Sequence, residues 1–261
     1  MLGKLLRYEF KSTARLFLPF YGAIILLSLL NRVLFVVLNS TDFLNIPRVI
    51  TMATYVFIII ATFIMTYVVM IQRFYKSLLS EEGYLSMTLP VKTSSHLLSK
   101  GIVAFVWILS TLAITLLSIF LILPDYNFLS QIPAVWQEAT QIFQSELGIS
   151  LNLFIVIMIG IALVSIISSI LMIYTAIAFG QLSNKHKVLT SFGAYVAIYA
   201  IIQAINIVLI ASVASVTPFT EELPVTMLPS VLLGVLSIQL IYGVAYFFIT
   251  RYLLDKKLNL E

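Results

Sequence analysis

Six long apolar runs decide what this chain can become. About 20 apolar residues in a helix rising 1.5 Å each cross a hydrocarbon core of about 30 Å. Runs of that length fall at about residues 18–39, 49–72, 101–123, 151–179, 189–212 and 229–250. They predict an all-α, polytopic integral membrane protein with six transmembrane helices. The fourth run is overlong and is expected to tilt or to extend beyond the bilayer. Neither an internal repeat nor a low-complexity linker interrupts the series, so residues 1–261 are expected to form a single transmembrane domain.

Composition agrees: 61% of the residues are hydrophobic, only 10% are charged and mean hydropathy is +1.08, against roughly a quarter charged in soluble proteins. The net charge of +4 does not point to nucleic acid, because the basic residues cluster beside apolar runs as cytoplasmic membrane flanks do. Without cysteine there is no disulfide, thiolate metal site or cysteine nucleophile.

Basic residues also set the expected orientation. Thirteen of the fifteen Lys and Arg fall at the N-terminus, in 73–100, in 180–188 or at the C-terminus. Arg32 and Arg48 fall on or toward the other side. The positive-inside rule then makes both termini and the 73–100 loop cytoplasmic.

At the N-terminus, Lys4, Arg7, Lys11 and Arg15 recur at helical spacing, with Leu2, Leu6, Phe10, Thr13 and Phe17 along another face. Residues 2–17 read as an amphipathic helix in the membrane interface, with its basic side toward lipid phosphates; a plain orienting flank is the simpler reading. On the outer side, Val135, Trp136, Ala139, Phe143 and Leu147 predict a helix over 133–147, started by Pro133 and stopped at Gly148. It serves either as an anchor on the outer leaflet or as a lid. The outer loop 213–228 carries Pro218, Glu221, Glu222 and Pro224, which leave a partial dip into the membrane open.

Little chemistry lies at membrane depth. Arg32 alone among charged residues sits well inside a span, roughly 10 Å from its outer end. It either snorkels outward or faces a cavity, contacting an anionic substrate or lipid headgroup. Asn31, Gln203, Asn206 and Gln239 are expected to bond across helices. A small-residue stripe of Gly193, Ala197, Ala200 and Ala204 predicts close packing within the bundle, with a dimer seam as the alternative. His96 and His186 read as solvated loop residues. Metallohydrolase, nucleophile-elbow and phosphate-loop motifs are all missing from the sequence. No catalytic residue, metal site or cofactor is therefore expected on this chain, and energy for any transport would come from a partner.

The one long polar stretch is 73–100, RFYKSLLSEEGYLSMTLPVKTSSHLLSK. RFYKSLL extends the second span as a helix. Ser80 can cap a new helical turn that holds Glu81 and Glu82 at its start, and Thr93, Ser94 or Ser95 can cap the helix into the third span. Tyr84, Leu85, Met87 and Leu89 are too apolar for a free loop, and Pro90 forces a stop. The knob so formed either packs back on the membrane or inserts into a groove on another protein.

This stretch, the N-terminus MLGKLLRYEFK, the six spans and the C-terminal KKLNLE resemble permease subunits of bacterial ATP-binding-cassette (ABC) exporters of the type-two branch. The layout covers the whole chain, whereas the specific match is concentrated in 73–92 and the two termini. The resemblance implies two paired permeases, identical or related, in a bacterial plasma membrane, bound to two separate ATPase subunits that hold ATP and magnesium. It makes Glu81, Glu82, Gly83, Tyr84, Leu85, Thr88, Leu89 and Pro90 the helix coupled to the ATPase, and residues 2–17 the family's interfacial helix. The expected substrate is an amphiphilic peptide or lipid-like molecule. A non-transporting membrane scaffold or sensor that docks a cytoplasmic regulator is the rival from another class.

Overall fold

A computed structural model describes residues 2–37, 45–79, 92–123, 127–183, 185–216 and 228–256. Seven helices run through them: α1 (Leu2–Val37), α2 (Asn45–Leu79), α3 (Thr93–Ile122), α4 (Phe128–Glu146), α5 (Leu151–Gly180), α6 (Lys187–Val216) and α7 (Leu228–Lys256). No strand occurs among the described residues. All but α4 are long and apolar enough to cross a membrane. The chain forms two compact units, Met1–Ser130 and Gln131–Glu261.

In the first unit α1, α2 and α3 pack on one another. The expected interfacial helix and first span are one continuous helix of 36 residues, with Pro19 inside it. Proline removes a backbone donor and crowds the carbonyl four residues back, yet the buried stripe Glu9, Thr13, Phe17, Tyr21, Ile24, Ser28 and Asn31 runs straight past it. Phe17 and Tyr21, on either side of Pro19, both pack against Trp107 of α3. Tertiary packing on both sides thus holds the helix together where local preference would break it. Phe17, Tyr21 and Val69 form an apolar cluster joined by Met65, Trp107 and Ile114.

Hydroxyl groups tie these helices together where lipid supplies no hydrophobic drive between them. Tyr21 shares a hydrogen bond with Thr111 (2.9 Å), Thr111 with Thr66 (3.2 Å), and Tyr55 with Ser118 (2.7 Å). Nearer the α1–α2 connection, Asn31 Nδ2 donates to the Thr51 carbonyl (3.4 Å) and Arg48 donates to the Leu34 carbonyl (3.0 Å).

In the second unit α5 packs against both α6 and α7. Ser150 caps α5, accepting from the Leu153 amide. Gly180 ends it where the chain turns back so closely that an added Cβ would strike the Ser191 side chain and lie 2.7 Å from the Lys187 carbonyl. Thr175 and Thr250 share a buried hydrogen bond of 2.8 Å between α5 and α7. α4 begins at Phe128, five residues before the predicted start, so Pro133 lies within it. It ends at Glu146, just before the expected stop at Gly148, whose φ of +58° lets the Ile149 amide close on the Phe143 carbonyl. Phe143 then meets Phe154 of α5 at 5.0 Å between ring centroids.

Candidate functional site

The predicted coupling residues Glu81, Glu82, Gly83, Tyr84, Leu85, Thr88, Leu89 and Pro90 lie outside the described residues. The frame that holds them is described. α2 continues as a helix through RFYKSLL to Leu79, with Phe74, Leu78 and Leu79 buried. α3 then begins at Thr93, with only thirteen residues between it and Leu79. Its N-cap is Lys92, with no side-chain cap; the Ser95 amide bonds the Lys92 carbonyl at 2.8 Å. Thr93, Ser94 and Ser95 therefore stand inside the first turn instead of capping it.

Beside this frame lies a charge pair that sequence patterning did not reveal. Lys100 Nζ of α3 meets Glu9 Oε1 of α1 at 2.7 Å, with side-chain exposures of 5% and 10%. Glu9 sits between basic neighbours in sequence but one helical turn before Thr13 on the packed face. Thr13 donates its hydroxyl to the Glu9 carbonyl (2.8 Å) and accepts from Trp107 Nε1 (2.8 Å). Trp107 in turn stacks on Phe17, with centroids 4.3 Å apart and planes at 17°. Ion pair, indole donor and ring stack succeed one another along the α1–α3 seam. They clamp the start of α1 to the start of α3.

His96 belongs to the same corner and is 4% exposed. It is not the solvated residue that its polar sequence context predicted. Its Nε2 has no hydrogen-bond partner among the described residues. One turn further, on the same face of α3, stands Lys100. Membrane-proximal helices bury what lies on their packed face whatever the surrounding polarity, so the register along α3 outweighs the local composition.

Lys4, Arg7, Lys11 and Arg15 are all exposed or half-exposed, as a basic face opposite the Glu9–Thr13–Phe17 stripe requires. Arg32 is only half-exposed, on a helix whose Asn31 and Ser28 are buried. These five cations form no common site with Glu9 and Lys100; they line the outside of α1, whereas the pair is sealed within the unit.

Of the uncharged polar residues expected to bond across helices, three do so. Asn31 reaches α2, Asn206 Oδ1 accepts from Tyr242 of α7 (2.9 Å), and Gln239 Oε1 accepts from Ser165 of α5 (2.6 Å). Gln203 instead donates to Tyr199 within its own helix. Gly193, Ala197, Ala200 and Ala204 are exposed instead of packed. Indeed no described side chain of α6 is buried.

Comparison with protein-family models, curated proteins and solved structures finds no match to this chain.

Proposed function

We propose that the chain is the membrane permease of a bacterial ABC exporter of the type-two branch, moving an amphiphilic peptide or lipid-like substrate with energy from two separate ATPase subunits. The observation that carries this reading is the clamped corner of the first unit. Two long helices, α2 and α3, converge on the short connection that bears Glu81 to Pro90, and the buried Glu9–Lys100 pair fastens α1 to the base of α3. A push on that connection would reach α2 and α3, which pack with α1 in one compact unit. ATP-driven closure of the partner then biases a two-state rearrangement of the membrane helices.

In this reading the clamped corner faces the cytoplasm, the termini lie on that side, and Lys4, Arg7, Lys11 and Arg15 rest on anionic headgroups. ATP and magnesium stay on the partner. A second copy or a homologue completes the permease, and the exposed small-residue stripe of α6 offers a surface for close helix approach.

The decisive experiment looks for a phosphate-loop ATPase that co-purifies with the chain, comparing wild type with Glu82→Lys and Leu85→Asp. Both variants are expected to lose the ATPase and its substrate-stimulated turnover. Retention of both by both variants overturns the coupling role and leaves the scaffold reading in its place. Orientation is checked by a cysteine at Ser86, which impermeant thiol reagents should not reach from outside intact cells.

A further inference from the structure

A cleft of about 490 Å³ opens within the second unit between α5, α6 and α7. It exists because α5 holds α6 and α7 apart, while α6 and α7 meet at the Tyr242 to Asn206 hydrogen bond. Met172, Leu209 and Ile238 supply apolar wall; Gln203, Asn206, Gln239 and Tyr246 supply polar groups. The lining contains no acidic or basic side chain.

Depth makes these polar groups informative. Counted at 1.5 Å per residue, Gln203 and Gln239 lie roughly 16 Å or more from either end of their helices, close to the middle of a core about 30 Å thick. There, water is not at hand to satisfy an amide, and each unmet group is costly. Internal bonds use only part of what these side chains offer. Gln239 engages Ser165 through Oε1, Gln203 engages Tyr199 through Nε2, and Asn206 engages Tyr242 through Oδ1. The other ends of the three amides, Nε2 of Gln239, Oε1 of Gln203 and Nδ2 of Asn206, have no partner among the described residues. The Tyr246 hydroxyl, on the cleft wall, makes no hydrogen bond to a described residue either.

We propose that this cleft binds a neutral amphiphile of single-lipid size, whose hydroxyl or amide groups pair with Gln203, Asn206, Gln239 and Tyr246 while its hydrocarbon lies along Met172, Leu209 and Ile238. Three features choose this class. A mixture of open donors and acceptors matches hydroxyl and amide groups, which offer both. A charged headgroup would enter mid-membrane without a countercharge, at high cost. The volume falls in the usual range for small-molecule sites, about 300–1,000 Å³. As cargo, the ligand rests on the permease reading; as a bound molecule it does not.

The test therefore measures binding in the absence of any ATPase. The full chain in phosphatidylcholine nanodiscs is exposed to a monoacylglycerol carrying a photoreactive diazirine in its acyl chain, and labelled residues are mapped by mass spectrometry. The corresponding fatty acid, with the same chain and an anionic head, is run in parallel. Expected are labels concentrated on Met172, Leu209 and Ile238, and cleft labelling by the fatty acid at least about tenfold weaker. Gln203→Leu and Tyr246→Phe should each weaken apparent affinity about fivefold, the loss of one hydrogen bond. Tyr246→Phe removes a single oxygen, so it guards against misfolding as an explanation. Labelling spread over lipid-facing positions, or cleft labelling unchanged in both variants, overturns the proposal. Equal labelling by the fatty acid overturns the neutral class, and crosslinks joining two copies through these residues assign the cleft to a second chain. Failure of the Glu82 and Leu85 experiment with these labels intact would remove the transport reading and leave the binding site.

Discussion

Replacing Lys100 with methionine removes one half of a charge pair that water barely reaches. Glu9 and Lys100 stand 2.7 Å apart. At an effective dielectric constant of about 20, unit charges at that distance attract by about 6 kcal/mol, against a desolvation penalty of several kcal/mol per ion. The intact pair is therefore close to neutral in net stability. A stranded charge is different, because it keeps its penalty and loses its attraction. Lys100→Met and Glu9→Leu should each cost about 3–5 kcal/mol, while the double replacement should return to within about 1–2 kcal/mol of wild type. At about 2–4 °C per kcal/mol, each single variant should melt roughly 6–20 °C lower. Trp107 lies on the same face of α3 and bonds Thr13 in the same seam, so its fluorescence in a Trp136→Phe background reports the corner directly. A double-mutant cycle by thermal melting in detergent provides the measurement. Additive losses, or a Lys100→Met variant within about 0.5 kcal/mol of wild type, refute the clamp.

Two further changes probe the second unit. Gly180→Ala places a methyl group against Ser191 and 2.7 Å from the Lys187 carbonyl, and should cost about 1–3 kcal/mol by overpacking; a melting temperature equal to wild type would show that the α5–α6 corner is not tight. Thr250→Val keeps shape but breaks the bond to Thr175, whose hydroxyl retains the Leu171 carbonyl, so the loss should be only about 0.6 kcal/mol. A loss several times larger in the same melting assay would mean that Thr250 anchors α7 by more than this bond.

The helices were legible in the sequence because each apolar run is long and nearly free of charge, and the structure places six long helices over them. The extension of α2 through Leu79 and the turn at Gly148 were equally readable, one from apolar spacing and the other from the left-handed backbone that glycine accepts. Pro19 was harder. Its local penalty argues for a break, and only contacts with residues some 90 positions away, such as Trp107, outweigh it. The Glu9–Lys100 pair was hidden for the same reason, since Glu9 sits between Arg7 and Lys11 and Lys100 closes a polar stretch, and both look like ordinary flank. A helical stripe of Glu9, Thr13, Phe17 and Tyr21 was the available signal. Reading Glu9 onto the Thr13–Phe17 face would have marked it as a buried acid in need of a partner. For Gln203, Asn206 and Gln239, the sequence revealed polar groups at mid-depth but not that each would use only one end of its amide.

That half-used chemistry leads to a prediction that separates a binding site from a structural seam. In the first unit, Tyr21, Thr66 and Thr111 close on one another, and removing such a partner should weaken the fold. In the cleft, Gln203 bonds only Tyr199, on its own helix, and keeps its Oε1 open. An amide left open in an apolar medium carries a penalty of about 1–3 kcal/mol by protein mutational data, while its one bond contributes about 1 kcal/mol. Gln203→Leu should thus leave the ligand-free chain as stable as wild type or up to about 2 kcal/mol more stable, raising Tm by as much as roughly 4–8 °C. The same variant should lose most of the melting shift that monoacylglycerol gives wild type, because stabilisation by a ligand scales with its affinity. This pairing of a sturdier empty protein with a weaker ligand response is what selection for binding leaves behind. Should Gln203→Leu melt several degrees below wild type without ligand, its amide is already serving the fold, and the case for an occupant in the cleft fails.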